Sequence, residues 1–335
     1  MISAWRFVAA IIVPFCGLTY VAQAADPVAI TITPLQLDQT DAARNTVGQL
    51  IWRGGVVLQG KHVDFGGYSG LRIEAGGKQL RAVSDTGTWL TLDLSYDARG
   101  MLDGVANGLI GPLHDPVGRR LVGKANNDAE SMTVLRDGSV LIGFEQKHRL
   151  WRYPSGSEAS GGGMDGKPVP FAAPGGITLA PPNAGLECVT LLNDGRLLLI
   201  TEDMRRGANQ VAAWIGVPQG TGYVWQDANY PTTGRFRPSD ATTLPNGDVV
   251  VLERSYSILE GVRVRVMRLR QADIVANTTF RVEQLALLQA PLIVENFEGI
   301  SAARGANGET LLWLIADDNF NPLQRTILLH FAIAE

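Results

Sequence analysis

One pattern recurs along this chain and restricts its fold more than any other feature. Each copy has a polar or acidic start, an alternating apolar run, a turn containing glycine, a β-rich run and an acidic end. The second and third copies match most closely, with turns at Asp137-Gly138 and Asp194-Gly195. The fourth copy spans 239–253, and looser first and fifth copies span 67–85 and 297–318. An internal repeat of this kind is typical of an array of similar structural units.

Each copy predicts a β-hairpin, because Asp-Gly or Asn-Gly between β-branched runs is a strong hairpin signal. Third strands are expected over 89–94, 149–153, 211–217, 264–269 and 326–333. Taking Ser69, Glu130, Glu187, Asp240 and Glu298 as equivalent starts gives spacings of 53 to 61 residues. That is the length of a propeller blade with generous loops. We therefore predict an all-β fold with a single β-propeller. A pair of β-sandwiches, the alternative fold, would not be expected to repeat its acidic ends in register.

Five units are visible, and we expect six blades. The early strands, around 30–35 and 50–58, could complete another blade or close the ring with the C-terminal strand. The segment 154–185 is rich in Ser, Gly and Pro. It could be a domain linker, but matching repeats on both sides favour an inter-blade loop.

Residues 1–24 have the features of a signal peptide. Arg6 precedes a mostly apolar run, and Ala22-Gln23-Ala24 supplies a small-residue cleavage pattern. We expect an exported protein, periplasmic or secreted, whose propeller domain spans 25–335. Cys16 follows the bulky Phe15, which disfavours lipoprotein processing, and the single remaining thiol, Cys188, cannot form an internal disulfide.

Charge and hydropathy exclude some partners. A net charge of -4, with acids and bases interspersed, provides no basic stripe for nucleic acid. No later stretch approaches the roughly 18 apolar residues of a membrane span, so we expect no membrane anchor. The sequence gives no sign of oligomerisation, and we expect a monomer.

The repeat also predicts a ring of acids. The start of the first strand and the end of the second lie side by side in an antiparallel hairpin. If first strands are innermost, these carboxylates gather at one mouth of the channel, where they repel one another unless cations lie among them. Hard oxygen ligands at flexible spacing suit calcium better than magnesium. The candidate metal ligands are Glu130, Glu145, Glu187, Glu202, Asp240, Glu253, Glu298 and Asp317.

Basic residues follow several of these acids. They include Lys147, Arg205 and Arg206, while Arg254 directly follows Glu253 and Arg325 lies in the loop after Asp317. Arginine is well shaped to bind a phosphate or carboxylate through two hydrogen bonds. We therefore take Arg254 and Arg325 as candidate catalytic residues.

Other interpretations of these residues remain open. Acids at strand ends often cap turns, and the bases could merely neutralise them. The four histidines lack the spacing of a zinc site. Ser69 lacks the second glycine of a nucleophile elbow, and Cys188 is expected to be a small buried hydrophobe.

Several segments together resemble the phytase-like domain of bacterial exported proteins described as having esterase-like activity of phytase. The resemblance extends from about Gly66 to the C-terminus. It implies a β-propeller and suggests a hydrolase of phosphate or other esters, but it transfers no catalytic residue. The motifs of the calcium-dependent alkaline β-propeller phytases are not found. The segments that carry the resemblance are 66–71, 128–131, 185–187, 236–240, Glu253-Arg254 and 296–300.

Two functions follow from these observations. The first is an exported hydrolase of a small-molecule ester or phosphoester. In it, calcium at the channel mouth activates the attacking water, and Arg254 and Arg325 stabilise negative charge. The second is a non-catalytic propeller that binds a ligand or protein, with the acids as structural metal sites.

Overall fold

The computed structural model describes residues 25–74 and 76–334. The predicted signal peptide, residues 1–24, lies outside the described residues. No helix in the described ranges is long and apolar enough to cross a membrane.

The described chain is a sequence of short strands with few helical turns. Before the first repeat come β1 (Asp26–Pro27), β2 (Ile30–Pro34), β3 (Thr46–Val47) and β4 (Leu50–Gly60). The first copy forms β5 (Tyr68–Ile73), β6 (Gln79–Ser84), β7 (Thr88–Tyr96) and β8 (Leu102–Pro112). After α1 (Lys124–Asn127), the second forms β9 (Ala129–Val134), β10 (Val140–Phe144), β11 (Arg149–Tyr153) and β12 (Val169–Phe171).

The later copies repeat this order. The third forms β13 (Leu186–Leu191), β14 (Leu197–Arg205), β15 (Gln210–Gln219) and β16 (Gly222–Pro231). The fourth forms β17 (Arg237–Thr243), β18 (Val249–Ser257), β19 (Gly261–Leu269) and β20 (Val282–Leu288). The last forms β21 (Phe297–Arg304), β22 (Thr310–Ala316) and β23 (Ile327–Ile333). Short 3₁₀ helices cover Glu158–Gly163, Gly175–Leu179 and Gln271–Asp273.

Each copy is one antiparallel sheet, and the five sheets form a ring. The first strand of each copy is innermost, and β5, β9, β13, β17 and β21 each contact the next until β21 meets β5. Asp-Gly and Asn-Gly turns join the first two strands of the last four copies, where glycine adopts the positive φ that these turns need, 80° at Gly138 and 92° at Gly195. The predicted β-propeller is confirmed.

The described part of the chain has five blades, so the expected sixth blade is wrong. Strands β2, β3 and β4 join the fifth blade instead, whereas β1 pairs with β8 of the first blade. Strand β4 pairs with the C-terminal strand β23, and β2 and β3 pair with β4. The second alternative, closure of the ring with the C-terminal strand, is therefore the one observed. Residues 154–185 supply β12, the outermost strand of the second blade.

The apolar core lies between the blades. Among the described residues it divides into five clusters, each built from two neighbouring sheets. Blades one and two share Trp89 and Phe144, while blades five and one share Trp313 and Leu71. Cys188 is buried among apolar side chains between blades three and four. This packing holds the inner strands at fixed positions around the channel.

Candidate functional site

The inner strand of every blade begins with a β-bulge. In the second blade Ala129 pairs with Phe144 and Ser131 with Gly143, so Glu130 is left between them as an extra residue. The same interruption occurs in the other four inner strands. A bulge re-aims a side chain relative to the ladder. The extra residues are Ser69, Glu130, Glu187, Ser239 and Glu298.

A second set of equivalent residues faces these bulges from the neighbouring strand. The backbone N–H of Glu145 donates to the carbonyl oxygen of Asp128, just before the bulge, at 2.8 Å. Asp85, Glu202 and Asp317 make the matching bond in their own blades. In the fourth blade this register places Arg254 opposite Arg237. The fivefold set is therefore Asp85, Glu145, Glu202, Arg254 and Asp317.

All members of the two sets except Ser239 line a cavity of about 270 Å³ at one mouth of the channel. Eight carboxylates line it, against two cations, Lys124 and Arg254. If every group were ionised, the lining would carry a formal charge of -6. The eight acids are Asp85, Asp128, Glu130, Glu145, Glu187, Glu202, Glu298 and Asp317.

Burial and mutual repulsion perturb these carboxyl groups. Burial, followed by the charges of Asp128 and Glu298, raises the pKa of Glu130 well above its usual value. Burial and the neighbouring glutamates raise the pKa of Glu187 in the same way. Burial likewise raises the pKa of Glu145 to about 8 and that of Asp317 to about 8. The cavity therefore favours bound protons or a bound cation near neutral pH.

The two cations offset only part of this charge. Arg254 Nη2 lies 3.1 Å from Glu298 Oε1 and 3.4 Å from Glu202 Oε1. The charge of Glu298 raises the pKa of Arg254, against the effect of burial. Lys124 Nζ lies 2.5 Å from Asp128 Oδ1 and 2.9 Å from Asp85 Oδ2. Both cations sit at the edge of the cavity and bridge acids of different elements.

The second blade contributes the tightest group of potential ligands. The group consists of Asp128, Glu130 and Glu145. Each contributes one carboxylate oxygen, and these three oxygens lie within 4.8 Å of one another. All three residues are buried. Among the described residues, Asp128 Oδ2 and Ser69 Oγ are buried without a hydrogen-bond partner. Several hard oxygens, partly unsatisfied and with excess negative charge, fit a divalent cation such as calcium.

Comparison with known proteins places the chain in a family. The model of the phytase-like family, described as esterase-like activity of phytase, matches residues 63–320. This chain belongs to the phytase-like family. The match spans the inner strands of all five blades and the acidic cavity that they form.

Two solved structures that are similar to this phytase-like protein are distant from it in sequence. A protein of unknown function from Dyadobacter fermentans DSM 18053 is 12% identical, with 91% of each chain covered and a TM-score of 0.42. A luciferin-regenerating enzyme is 9% identical, with 90% of this chain and 98% of that chain covered and a TM-score of 0.41. Neither similarity indicates an activity for this chain. No curated protein sequence matches it significantly.

Eight acids were predicted as metal ligands from the sequence repeat. Six of them lie together in the structure of this phytase-like protein. They line the cavity together with Arg254. Whether they bind a metal stays a prediction. The six are Glu130, Glu145, Glu187, Glu202, Glu298 and Asp317.

Asp240 lies one residue beyond its expected position. Ser239 is the bulge residue of the fourth blade, and Asp240 points into the channel below the cavity. It accepts hydrogen bonds from the N–H groups of Ala241 and Ile300 at 2.7 and 2.8 Å, and it lies 3.4 Å from Arg72 Nη1. Its placement at the mouth is therefore wrong.

Glu253 is displaced for the same reason. It pairs with Pro238, one residue short of the cavity, and its side chain lies between the third and fourth blades. There it accepts hydrogen bonds from Tyr230 Oη at 2.8 Å and Arg265 Nε at 2.9 Å. Both acids of the fourth blade are satisfied within the fold and do not line the cavity.

Arg325 also lies outside the cavity lining. Its guanidinium binds Glu295, with Nη2 2.8 Å from Oε1. The loop after Asp317 therefore places Arg325 on Glu295, outside the acidic cavity where a catalytic role was expected.

Sequence reasoning missed three charged residues of the cavity. Asp85 ends the first copy, and Asp128 begins the second, so both lie inside segments that the repeat had marked. Lys124 precedes the second copy in α1, and no repeat signal covers it. The residue four positions before an acid on a helix is nevertheless a frequent ion-pair partner, and Lys124 and Asp128 have this spacing.

Arg72 was not expected to have a role, yet it fills the channel beneath the cavity. Its guanidinium donates to the carbonyl oxygens of Val189 at 2.7 Å, Ala241 at 3.1 Å and Ile300 at 3.1 Å. These residues lie two positions beyond the bulges of their strands. Because Arg72 itself lies on β5, it connects four inner strands and forms the floor of the site.

Proposed function

We propose that this phytase-like protein hydrolyses a phosphate or other ester at the acidic cavity, with a divalent cation, expected to be calcium, held among the carboxylates. The observation that supports this most is the position of Arg254. It is the one member of its fivefold set that is basic, and it lies where the acidic cavity meets a neighbouring groove.

The groove provides space for substrate. Its volume is about 420 Å³, and it shares Arg254, Glu298 and Asn319 with the cavity. Amide side chains of Asn296, Asn321 and Gln324 also line it. An ester bound there would place its reacting group beside Arg254 and the carboxylates.

The carboxylates closest to one another are the candidate ligands of the cation. Asp128, Glu130 and Glu145 would hold it, with Glu187 and Glu202 next to them in the lining. When bound, a divalent cation polarises an ester oxygen and makes water a better nucleophile at neutral pH.

Other groups of the chain supply orientation and proton transfer. The guanidinium of Arg254 can bind two oxygens of a phosphate and stabilise the charge that develops on them. Asp317, whose pKa is raised by burial to about 8, can donate or accept a proton near neutral pH. Arg254 lines both the cavity and the groove, and Asp317 lines the cavity close to Glu298, which also borders the groove.

The N-terminal segment supports an exported location. Its signal-like pattern leads us to propose that the enzyme acts in the periplasm or outside the cell on a small-molecule ester. Calcium is commonly more available there than in the cytosol, so a weak site could be occupied.

The test is hydrolysis of p-nitrophenyl phosphate, p-nitrophenyl acetate and phytate by the purified protein, with calcium and with EDTA. We expect calcium-dependent turnover of a phosphate substrate. Glu130→Gln removes a proposed ligand of the cation and should lower kcat/KM by at least the roughly 10- to 100-fold that loss of an outer-shell partner of a metal ligand costs. The matched control is Glu283→Gln, which removes an acid at the opposite end of the fourth blade and should change nothing.

The outcomes separate the candidate functions. Calcium-dependent turnover of the acetate alone would make the protein a carboxylesterase. If calcium raises Tm and none of the three substrates turns over, the acids are structural metal ligands and the proposal of hydrolysis is wrong.

A further inference from the structure

A second pocket beside the acidic cavity carries the opposite charge. Its volume is about 520 Å³, and it lies between the loop before β9 and the turn from β10 to β11. Four basic residues and one acid, Asp115, are among its lining residues. The formal charge of +3 contrasts with the net charge of -4 of the whole chain. The four basic residues are Arg119, Arg120, Lys147 and Arg149.

Two of these cations have no carboxylate partner among the described residues. Lys147 Nζ donates to the amide oxygen of Asn126 at 2.7 Å. Arg149 donates to the backbone oxygens of Lys147, at 2.9 Å, and Asn126, and its Nε atom is buried without a partner. By contrast, Arg119 binds Asp115, and Arg120 binds Asp64 at 2.9 Å. The wall formed by β11 and the turn before it therefore presents positive charge that the chain leaves uncompensated.

Aromatic rings hold this wall in place. The guanidinium of Arg149 lies 4.0 Å from the ring centre of Phe144 and 4.3 Å from that of Trp151. Trp151 also lines the pocket. Cation–π contacts of this kind fix the orientation of a guanidinium without neutralising it. A ligand would find both preset positive charge and an apolar ring surface.

Helix α1 separates this pocket from the acidic cavity. Lys124 faces the cavity acids Asp85 and Asp128 on one side, and Asn126 accepts from Lys147 on the other. The turn between β10 and β11 continues the same boundary, since Glu145 lines the cavity and Lys147 lines the pocket. The two sites are therefore immediate neighbours on one face of the propeller.

We propose that this basic pocket binds an organic anion through a phosphate or carboxylate group. Arginine and lysine donate charge-assisted hydrogen bonds to such oxyanions, and the volume leaves room for an organic part against Trp151. The anionic group belongs either to the ester that is hydrolysed next door or to a separate small molecule. Only the first source rests on the proposed function.

Binding is tested without any hydrolysis. The full chain in EDTA and low salt is titrated with inorganic phosphate and, separately, with phenyl phosphonate, a non-hydrolysable aromatic anion, by calorimetry. We expect saturable binding, tighter for phenyl phosphonate. The double variant Arg119→Gln/Lys147→Gln should weaken it by about tenfold, because two exposed cations are lost.

Two control variants make the result specific. Arg99→Gln removes the ion pair of Arg99 with Asp97, whose side chains are 82% and 27% exposed. This exposure is similar to that of the pair in the pocket, where Arg119 is 73% and Asp115 is 16% exposed. Arg99→Gln should bind both probes as the wild type does, and so should Glu130→Gln. Absence of saturable binding, or equal affinity in the wild type and the double variant, would overturn the proposal. An equal loss in Arg99→Gln would do the same, because it would reveal a general charge effect.

Kinetics with calcium then distinguish the two sources. If the group belongs to the substrate, the double variant raises KM for esters with a second anionic group and leaves kcat nearly unchanged. If it belongs to a separate molecule, phenyl phosphonate changes kcat for a neutral ester without competing with it. If no ester is hydrolysed, the proposed function is wrong. The calorimetric result still shows whether the basic pocket binds an anion.

Discussion

Removing divalent cations should make the stability of this protein fall as the pH rises through neutrality. Burial and like charge raise the pKa of Glu145 from 4.5 to about 8 and that of Asp317 from 3.8 to about 8. A carboxyl group whose pKa is raised on folding contributes stability that is fully present below its unfolded pKa. That contribution is lost as the pH rises through about 8, because the folded cavity then holds repelling charges.

The size of the effect follows from the Glu145 carboxyl group alone. Each tenfold change in proton affinity corresponds to about 1.36 kcal/mol, so the full displacement is on the order of 5 kcal/mol. Between pH 6.5 and 8.5 one such group loses about 2 kcal/mol of that stabilisation. At roughly 2 °C per kcal/mol for a large domain, Tm should fall by about 4 °C.

The assay is thermal unfolding in EDTA between pH 6.5 and 8.5, followed by calcium at each pH. This range avoids buried His330, whose pKa is lowered by burial to about 4 and which opposes stability only at lower pH. Calcium should raise Tm more at pH 8.5 than at 6.5, since it replaces protons. Glu145→Gln should reduce the pH dependence and leave the part that Asp317 contributes, and Glu283→Gln should leave all of it. A Tm in EDTA that stays constant or rises with pH would refute this account of the cavity.

Three further predictions test individual residues. Arg254→Gln should lower kcat by roughly 100-fold or more in steady-state assays, and an unchanged kcat would remove Arg254 from the site. Arg72→Met should destabilise the fold by about 3–5 kcal/mol in urea unfolding, because Asp240 is left unpaired, and adding Asp240→Asn should restore part of that loss. Glu253→Gln should lower stability without changing calcium affinity, whereas Glu187→Gln should weaken calcium binding; calorimetry showing the reverse would contradict both placements.

The fold could be predicted because its signals are local and repeated. Turns such as Asp137-Gly138 and the apolar alternation beside them specify hairpins wherever they occur. The number of blades, by contrast, depends on pairing between strands that are far apart in the sequence. Strand β4 is separated from its partner β23 by most of the chain. Because these two strands pair in one sheet, β4 closes the fifth blade and does not begin a sixth.

The candidate site was predicted in part, and its errors have one cause. The repeat placed Glu130, Glu187 and Glu298 correctly because the alignment of their segments happened to match the bulge positions. In the fourth blade the aligned acid was Asp240, while the bulge is at Ser239. A shift of one residue along a strand reverses the side on which a side chain lies. Because of this shift, Asp240 and Glu253 lie outside the cavity, and Arg254 lines it.

The sequence by itself determined that the chain makes hairpins of one kind, that these repeat as blades, and that acids gather where their first two strands begin and end. Each of these properties depends on residues close together in the chain. Only the tertiary structure decided the five-bladed closure, the ion pair of Arg72 with Asp240 beneath the site, and the separation of acidic cavity from basic pocket by α1. Those depend on bulges and on contacts between distant strands, whose energies arise only when the ring of blades is packed.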